Sequence, residues 1–351
     1  MEAPVRDKEF SAQYIFVRSR QLEATFPGDA STGTWPITCC RILRGWGVPT
    51  EDVWPYNGDA SAWPPQEPPN VDAAAKPNRC GRYQRVRTLS ECKAVLGLTE
   101  LPVGVSLEIT DKWGNAPGGR IPPPTATDVV RGFHSVLVHG YDDAKAEFSF
   151  QNSWGAQWGD GGHGYISYES FEAAWVEGWL TDFPESWAVD WPGNKMLPKS
   201  QSGVIERGWG VPEHGGGIFH IREFVRDDDE RLAWAFAIQR SGFLEVEEFF
   251  VRPQFRRAGY GKKLMHLIGK LATVQGCSLK FWISYADTAP ENLAMIEKLV
   301  LPLGLRVVQA NVRFAPYVAT GEGEAAELER VHHFQSQSAR PIAPYRPKSL
   351  E

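Results

Sequence analysis

The chain has 351 residues, which at about 100–200 residues per domain predicts two domains, or three, and excludes a single small fold. Hydrophobic residues make up 42% of the sequence and aromatic residues 12%, enough for more than one core, so wholesale disorder is excluded. There are 37 Lys and Arg against 43 Asp and Glu, and the net charge of −6 argues against nucleic acid as a partner.

The opening residues MEAPVRDKEF are charged where a signal peptide needs an apolar stretch, and no apolar run approaches the ~20 residues that span a bilayer. We therefore predict a cytoplasmic protein without a membrane partner. The odd number of cysteines and their spacing fit neither a zinc site nor a disulfide framework. Reduced thiols and no bound metal are expected for Cys39, Cys40, Cys80, Cys92 and Cys277.

Residues 1–185 are predicted to form an α+β domain, with helices first and a sheet second. The segments SAQYIFVRSRQLEA and WPITCCRILRGWG have helical periodicity, and Gly45 and Gly47 end the second. Strands are predicted for PVGVSLEI, FHSVLVHGYDD, EFSFQNS and HGYISYE.

A Gly- and Pro-rich stretch, residues 186–217, is predicted to be a linker to a second domain over residues 218–316. In this second domain FHIREFV, RLAWAFAIQR and FLEVEEFFV are predicted strands joined by tight turns. A glycine turn then opens a helix, followed by the strand SLKFWIS and the helix PENLAMIEKLVLPLG. The polar residues 317–351 are predicted to be a disordered tail.

The stretch GFHSVLVHGYDDAKAEFSFQNSWGAQWGDGGHGYISYE carries a histidine and, on a later strand, the motif Asn-Ser-Trp-Gly. It resembles the papain-like cysteine peptidases, and the resemblance implies a two-lobe fold with His134 and Asn152 as catalytic residues. A thiolate needs an imidazole to accept its proton, and the imidazole needs an acceptor that fixes its tautomer. Trp154 would shield the hydrogen bond between them from water.

The thiol of that family precedes the segment that resembles SAQYIFVRSRQLE, and the residues before Ser11 include neither Cys nor Gln. Cys39 and Cys40 lie on a later helix and are predicted to be core thiols, so the first lobe is expected to be incomplete. Two explanations stay open. Either the natural chain starts upstream and is a competent peptidase, or the domain binds peptides without cutting them.

A second pattern, EEFFVRPQFRRAGYGKKL, is typical of a strand, a turn and a helix in that order. Backbone N–H groups at a helix start, backed by the helix dipole, can hold a pyrophosphate when glycines let it approach. This turn and the start of the helix comprise Arg256, Arg257, Ala258, Gly259, Tyr260, Gly261 and Lys262.

This pattern resembles the signature of the GNAT superfamily of acyl-CoA-dependent N-acyltransferases. The resemblance covers roughly residues 218–315. The resemblance implies a mixed, largely antiparallel sheet, acetyl-CoA as the acyl donor and an amine or peptide substrate. It also implies that residues 256–262 bind the cofactor and that Asn292 contacts it. It also implies a general base at Glu247 or Glu248. Alternation along a strand predicts that these two side chains point to opposite faces, so at most one would serve.

The combined hypothesis is an acetyl-CoA-dependent N-acyltransferase fused to a papain-like domain that lacks its thiol. A cysteine peptidase with an accessory second half is the first alternative. A non-catalytic peptide-binding module is the second.

Overall fold

The computed structural model describes residues 9–80, 83–99, 101–125, 127–181, 205–208, 218–221, 231–240, 243–276, 278–282, 298–299, 308–310 and 318–320. They form two regions, each built on one sheet. We call residues 9–181 the first region and residues 205–320 the second region. In the described part of the chain no helix combines the length and the apolar character that crossing a membrane requires.

The first region begins with helices and continues with an antiparallel sheet. Its helices are α1 (Ala12–Leu22), α2 (Pro36–Gly45), α3 (Val71–Ala75), α4 (Leu89–Thr99) and α5 (Tyr168–Ala174). Its strands are β1 (Tyr83–Val86), β2 (Val103–Thr110), β3 (Val130–Asp142), β4 (Glu147–Gln151), β5 (His163–Ser167) and β6 (Trp175–Thr181), in the spatial order β1-β6-β2-β3-β4-β5. The predicted α+β class is confirmed.

Local sequence explains where the first two helices begin and end. The Ser11 hydroxyl accepts a hydrogen bond from the Tyr14 amide, 3.0 Å away, and caps α1. Pro36 occupies the first turn of α2, where its missing N–H is not needed. Gly47 follows α2 with φ +91°, a conformation that other residues rarely adopt, so the helix stops there.

The described residues of the second region form a seven-stranded sheet and one long helix, α6 (Tyr260–Gln275). Its strands are β7 (Ile205–Gly208), β8 (Ile218–Ile221), β9 (Ala233–Arg240), β10 (Phe243–Val251), β11 (Ser278–Trp282), β12 (Val308–Ala310) and β13 (Val318–Thr320), in the order β12-β13-β11-β10-β9-β8-β7. Only the β10–β11 pairing is parallel among the described pairs, so the sheet is mixed and largely antiparallel, as expected.

The second sheet extends beyond the predicted domain at both ends. Strand β7 comes from the stretch predicted as a linker, and β13 comes from the predicted tail. The remaining residues of both stretches, and most of the helix predicted at PENLAMIEKLVLPLG, lie outside the described residues. The domain bounds stay a prediction.

The two regions share a core. Ile37 and Cys40 of α2 and Tyr83 and Trp179 of the first sheet are buried together with a set of aromatic residues from the second sheet, namely Trp234, Phe236 and Phe250. The Trp234 indole N–H donates to the Tyr83 hydroxyl at 2.9 Å. Both partners are buried, so this contact joins the two sheets through a shared interior.

Candidate functional site

The predicted histidine and asparagine meet in the first sheet. His134 lies on β3 and Asn152 follows β4, and the His134 Nε2 atom is 2.7 Å from the Asn152 Oδ1 atom. Because an amide oxygen only accepts, Nε2 carries the proton and Nδ1 holds the lone pair. The imidazole is therefore in the tautomer that can accept a proton at Nδ1.

Two tryptophans and a glycine turn hold this pair. The Trp154 ring lies 4.6 Å from the His134 ring, centroid to centroid, and the Trp113 ring lies 6.4 Å away. The Asn152 N–H donates to the Gly162 carbonyl at 2.9 Å, across a turn that is closed by glycines of positive φ, namely Gly155, Gly159, Gly161 and Gly162. The glycines of the motif therefore let the chain turn back over the asparagine.

Burial lowers the pKa of the His134 imidazole below its usual range, while the hydrogen bond to Asn152 partly opposes that shift. The site therefore favours a neutral histidine near neutral pH, which is the form that accepts a proton.

The described cysteines are unsuited to serve as the nucleophile of a cysteine peptidase. Cys40, Cys80 and Cys92 are buried, and Cys39 is only partly exposed, with its Sγ 3.6 Å from the Ser19 hydroxyl. Burial raises the pKa of both Cys39 and Cys92 to about 12, and raises that of Cys40 well above its usual range. These thiols therefore behave as core groups. Cys277 lies outside the described residues.

We expect native protein at pH 8 to react slowly with iodoacetamide at Cys39, Cys40 and Cys92. With a pKa of about 12, only about one Cys39 or Cys92 thiol in ten thousand is ionised at that pH, and burial also keeps the Cys40 thiol protonated. Peptide mass spectrometry of timed samples measures the labelling. Protein unfolded in urea is the control and should react at the rate of a free thiol. Fast native labelling that His134→Ala abolishes would contradict the prediction.

The second predicted site lies where β10 leads into α6. A short 3₁₀ turn, Pro253–Phe255, follows β10, and Gly259 caps α6 with φ +87°. The first intrahelical bond runs from the Lys263 amide to the Gly259 carbonyl at 3.1 Å. A helix leaves its first-turn amides without an acceptor of its own, so the amides of Gly261 and Lys262 are available to an anion.

Positive charge surrounds this turn. The side chains of Arg256, Arg257, Lys262 and Lys263 are all exposed. Arg257 has φ +64°, so the backbone folds tightly before Ala258 and Gly259. The turn thus combines helix amides, small residues and cations, which is the chemistry that a pyrophosphate needs. Asn292, the predicted cofactor contact from the later helix, lies outside the described residues.

Glu247 and Glu248 are both buried, and the expectation that they point to opposite faces is wrong. A register shift between Val246 and Glu248 interrupts the β9–β10 pairing, and this bulge breaks the alternation. Glu248 pairs with Arg41 at 2.9 Å, and Glu247 lies 3.2 Å from Arg87. A general base must reach the reacting amine, so these contacts with the first region disfavour the role predicted for either carboxylate.

A buried carboxylate that the sequence analysis missed lies on β6. Burial raises the pKa of Glu177 to about 7, although Arg85 and Arg41 nearby oppose that shift. The negative charge of Glu23 raises the pKa further. No sequence motif marks Glu177, because its environment comes from α2, β1 and β6 together.

We expect Glu177→Gln to stabilise the protein at pH 8 and to have less effect at pH 5. The folded pKa of about 7 exceeds the usual 4.5, so the favourable contribution of Glu177 is lost as the pH rises between these values. The gain in free energy of unfolding at pH 8 should be about 3 kcal/mol. Urea unfolding at both pH values tests this, with exposed Glu172→Gln as the control. An equal effect at both pH values would contradict it.

Within the described part of the chain, no three His, Cys, Asp or Glu side chains converge in a way that could hold a metal ion.

Comparisons with known proteins give two family matches. Residues 10–176 match the family model of the papain family cysteine proteases, and residues 172–299 match that of the acetyltransferase (GNAT) family. The second match starts inside the first region, since Trp175–Thr181 pairs with β1 and β2. A comparison with curated proteins finds no match.

Several solved structures resemble about half of the chain. Xylellain, a cysteine protease from Xylella fastidiosa, is 25% identical over 50% of this chain and 70% of its own, with a TM-score of 0.44. Digestive procathepsin L 3 of Tenebrio molitor is 18% identical over 51% of this chain and 57% of its own, with a TM-score of 0.38. A Carica candamarcensis cysteine protease is 18% identical over 51% and 79%, with a TM-score of 0.37.

The two family matches meet near residue 175 and cover most of the described sequence. The chain therefore joins a region that matches the papain family cysteine protease model to a region that matches the GNAT acetyltransferase model.

Proposed function

We propose that the chain transfers an acetyl group from acetyl-CoA to an amine, either a small molecule or a peptide. The observation that carries the proposal is the turn before α6, where the Gly261 and Lys262 amides lie among exposed cations. Acetyl-CoA brings an activated thioester carbonyl and a diphosphate. The turn would hold the diphosphate through these amides and through Arg256 and Arg257.

In the transfer the amine nitrogen attacks the thioester carbonyl carbon, the C–S bond breaks, and the proton from the amine ends on the leaving thiolate. The residues of this chain that we assign act by binding and orientation. The turn fixes one end of the donor, so the attack becomes effectively intramolecular once the amine is bound.

Isothermal titration of acetyl-CoA into the full chain tests the proposal. Wild type should bind, and Gly261→Glu should give no binding heat, because it places a carboxylate among the amides that face the diphosphate. Gly33→Glu is the matched control, since Gly33 has nothing within 4 Å of an added Cβ and lies far from the turn in sequence. It adds the same charge and should bind like wild type.

A Cβ at Gly261 would touch the side chains of Leu299, Phe249 and Val251 at 3.8 Å, so Gly261→Glu also needs a folding check by circular dichroism. Lys262→Glu is a second variant on an exposed position and should bind measurably more weakly than wild type, most of all at low salt. Absence of heat with wild type, or equal heat with wild type, Gly261→Glu and Lys262→Glu, would overturn the proposal.

A cysteine peptidase is the second candidate, and the 2.7 Å contact between His134 and Asn152 favours it. Such a peptidase needs a thiol from a segment upstream of Met1. Genomic DNA that encodes an in-frame Gln and Cys before the present start would support this candidate. If that DNA encodes neither, the first region would be a peptide-binding module without peptidase chemistry.

A further inference from the structure

The bulge in β10 gathers three carboxylates on one side of the second sheet. One side of β10 packs on α6 through apolar residues, namely Leu244, Val246 and Val251. Glu245, Glu247 and Glu248 instead contact arginines of the first region. Without the bulge, strict alternation would send Glu248 towards α6.

Three arginines of the first region meet these carboxylates. Arg41 on α2 donates from Nη2 to Glu248 Oε1 at 2.9 Å, and both side chains are almost fully buried, at 6% and 1% exposure. Arg87 donates from Nη1 to Glu245 Oε2 at 2.6 Å. Arg85 Nη2 lies 3.9 Å from Glu245 and 3.8 Å from Glu247. Arginines of the first region, outside the second sheet, therefore hold the bulge in place.

The end of β10 is also fixed by the first region. The Arg252 guanidinium lies 4.1 Å from the centroid of the Trp46 ring, and its Nη1 donates to the Arg231 carbonyl at 3.0 Å. Arg231 in turn donates from Nη1 to the carbonyls of Arg44 and Cys80, both at 2.8 Å. The segment from 248 to 252 is thus tied at both ends to residues around α2 and β1.

The turn before α6 starts immediately after this segment. Arg256 donates from Nε to the Val251 carbonyl at 3.2 Å, so a hydrogen bond connects the start of the turn to the end of β10. A small displacement of β10 would therefore move the helix amides that face the ligand.

We propose that the papain-like region serves as part of the acetyltransferase, with Arg41, Arg85 and Arg87 as positioning residues that hold β10 and thereby aim the acetyl-CoA turn. This inference rests on the proposed acetyl-CoA site. The arginines act through Glu245, Glu247 and Glu248 and do not touch the ligand. The same contacts assign these carboxylates a positioning role.

The test uses the full chain and measures acetyl-CoA affinity together with amide hydrogen exchange. Arg41→Met leaves Glu248 buried without its cation, so we expect faster exchange over residues 253–263 and a dissociation constant raised about tenfold. Arg41→Met combined with Glu248→Leu replaces the ion pair by apolar groups of similar size and should restore both values. Restoration separates positioning from simple damage to the fold.

Arg131→Met is the matched control. Arg131 pairs with Asp111 on the surface of the first region, at 48% and 62% exposure, so its loss should change neither value. If Arg41→Met does not fold, Arg87→Gln replaces it, since Arg87 is 19% exposed and the substitution is milder.

The two proposals fail in different ways. If wild type does not bind acetyl-CoA, the proposed function fails, while the exchange measurement still tests whether the arginines hold the turn. If wild type binds and the arginine variants show unchanged affinity and unchanged exchange over residues 253–263, the positioning role is overturned.

Discussion

Replacing Trp234 by Ala should lower the free energy of unfolding by about 3–5 kcal/mol, the usual loss for a large buried aromatic side chain. Trp234 is fully buried, its ring lies 4.9 Å from that of Phe250, and its indole N–H donates to the Tyr83 hydroxyl across the two regions. The substitution leaves a cavity in the shared core and a buried hydroxyl that loses this donor.

Urea unfolding followed by circular dichroism measures this effect. Tyr56→Ala is the control, because Tyr56 is 61% exposed and its loss should change stability by less than about 0.5 kcal/mol. Tyr83→Phe removes only the hydroxyl and should cost about 1 kcal/mol. A Trp234→Ala protein as stable as the Tyr56→Ala protein would mean that the second sheet does not share a core with the first region.

Gly47→Ala should also be severely destabilising, by about 3 kcal/mol or more from backbone strain and overpacking together. Gly47 has φ +91°, and a Cβ there would lie 2.1 Å from the Ala75 carbonyl oxygen. Both obstacles are backbone features, so no side-chain rotation relieves them. Because the turn at Gly47 follows α2, the variant should also disturb the contacts of Trp46 and Arg44 with the second region.

Thermal and urea unfolding of Gly47→Ala, compared with Gly33→Ala, tests this prediction. Gly33 has nothing within 4 Å of an added Cβ and an ordinary backbone conformation, so its replacement should leave stability unchanged or raise it by about 0.4–1 kcal/mol. Similar stabilities for the two variants would contradict the prediction, because they would show that the backbone near Ala75 moves easily to accommodate the added Cβ.

Local patterns were sufficient to predict much of the fold. The helical period of residues 12–22 and 36–45 and the strand-forming composition of β3 and β10 depend on neighbours in sequence. The meeting of His134 and Asn152 was predictable as well, because the motif around Asn152 is long and closes on itself through its glycines. The catalytic roles of these two residues stay predictions.

The contact between the regions was not predictable in this way. Arg41 and Glu248 are separated by 207 positions, and neither has a local signal that marks the other as its partner. The bulge at Glu247 could not be predicted either, because a strand with one extra residue has the same kind of amino-acid composition as a regular strand. Sequence alone therefore suggested a free carboxylate where the folded chain has an ion pair.

The matched charges between α2, β1 and β10 limit how this fusion can be rebuilt. A chimaera that keeps the second region but takes its first region from a different protein would place three carboxylates against a surface that lacks these arginines. Unless guanidinium groups stand at the equivalent places, burying those acids would leave their charges uncompensated. The two halves of this gene are thus expected to have evolved together. A substitution on one side of the contact would favour a compensating substitution on the other.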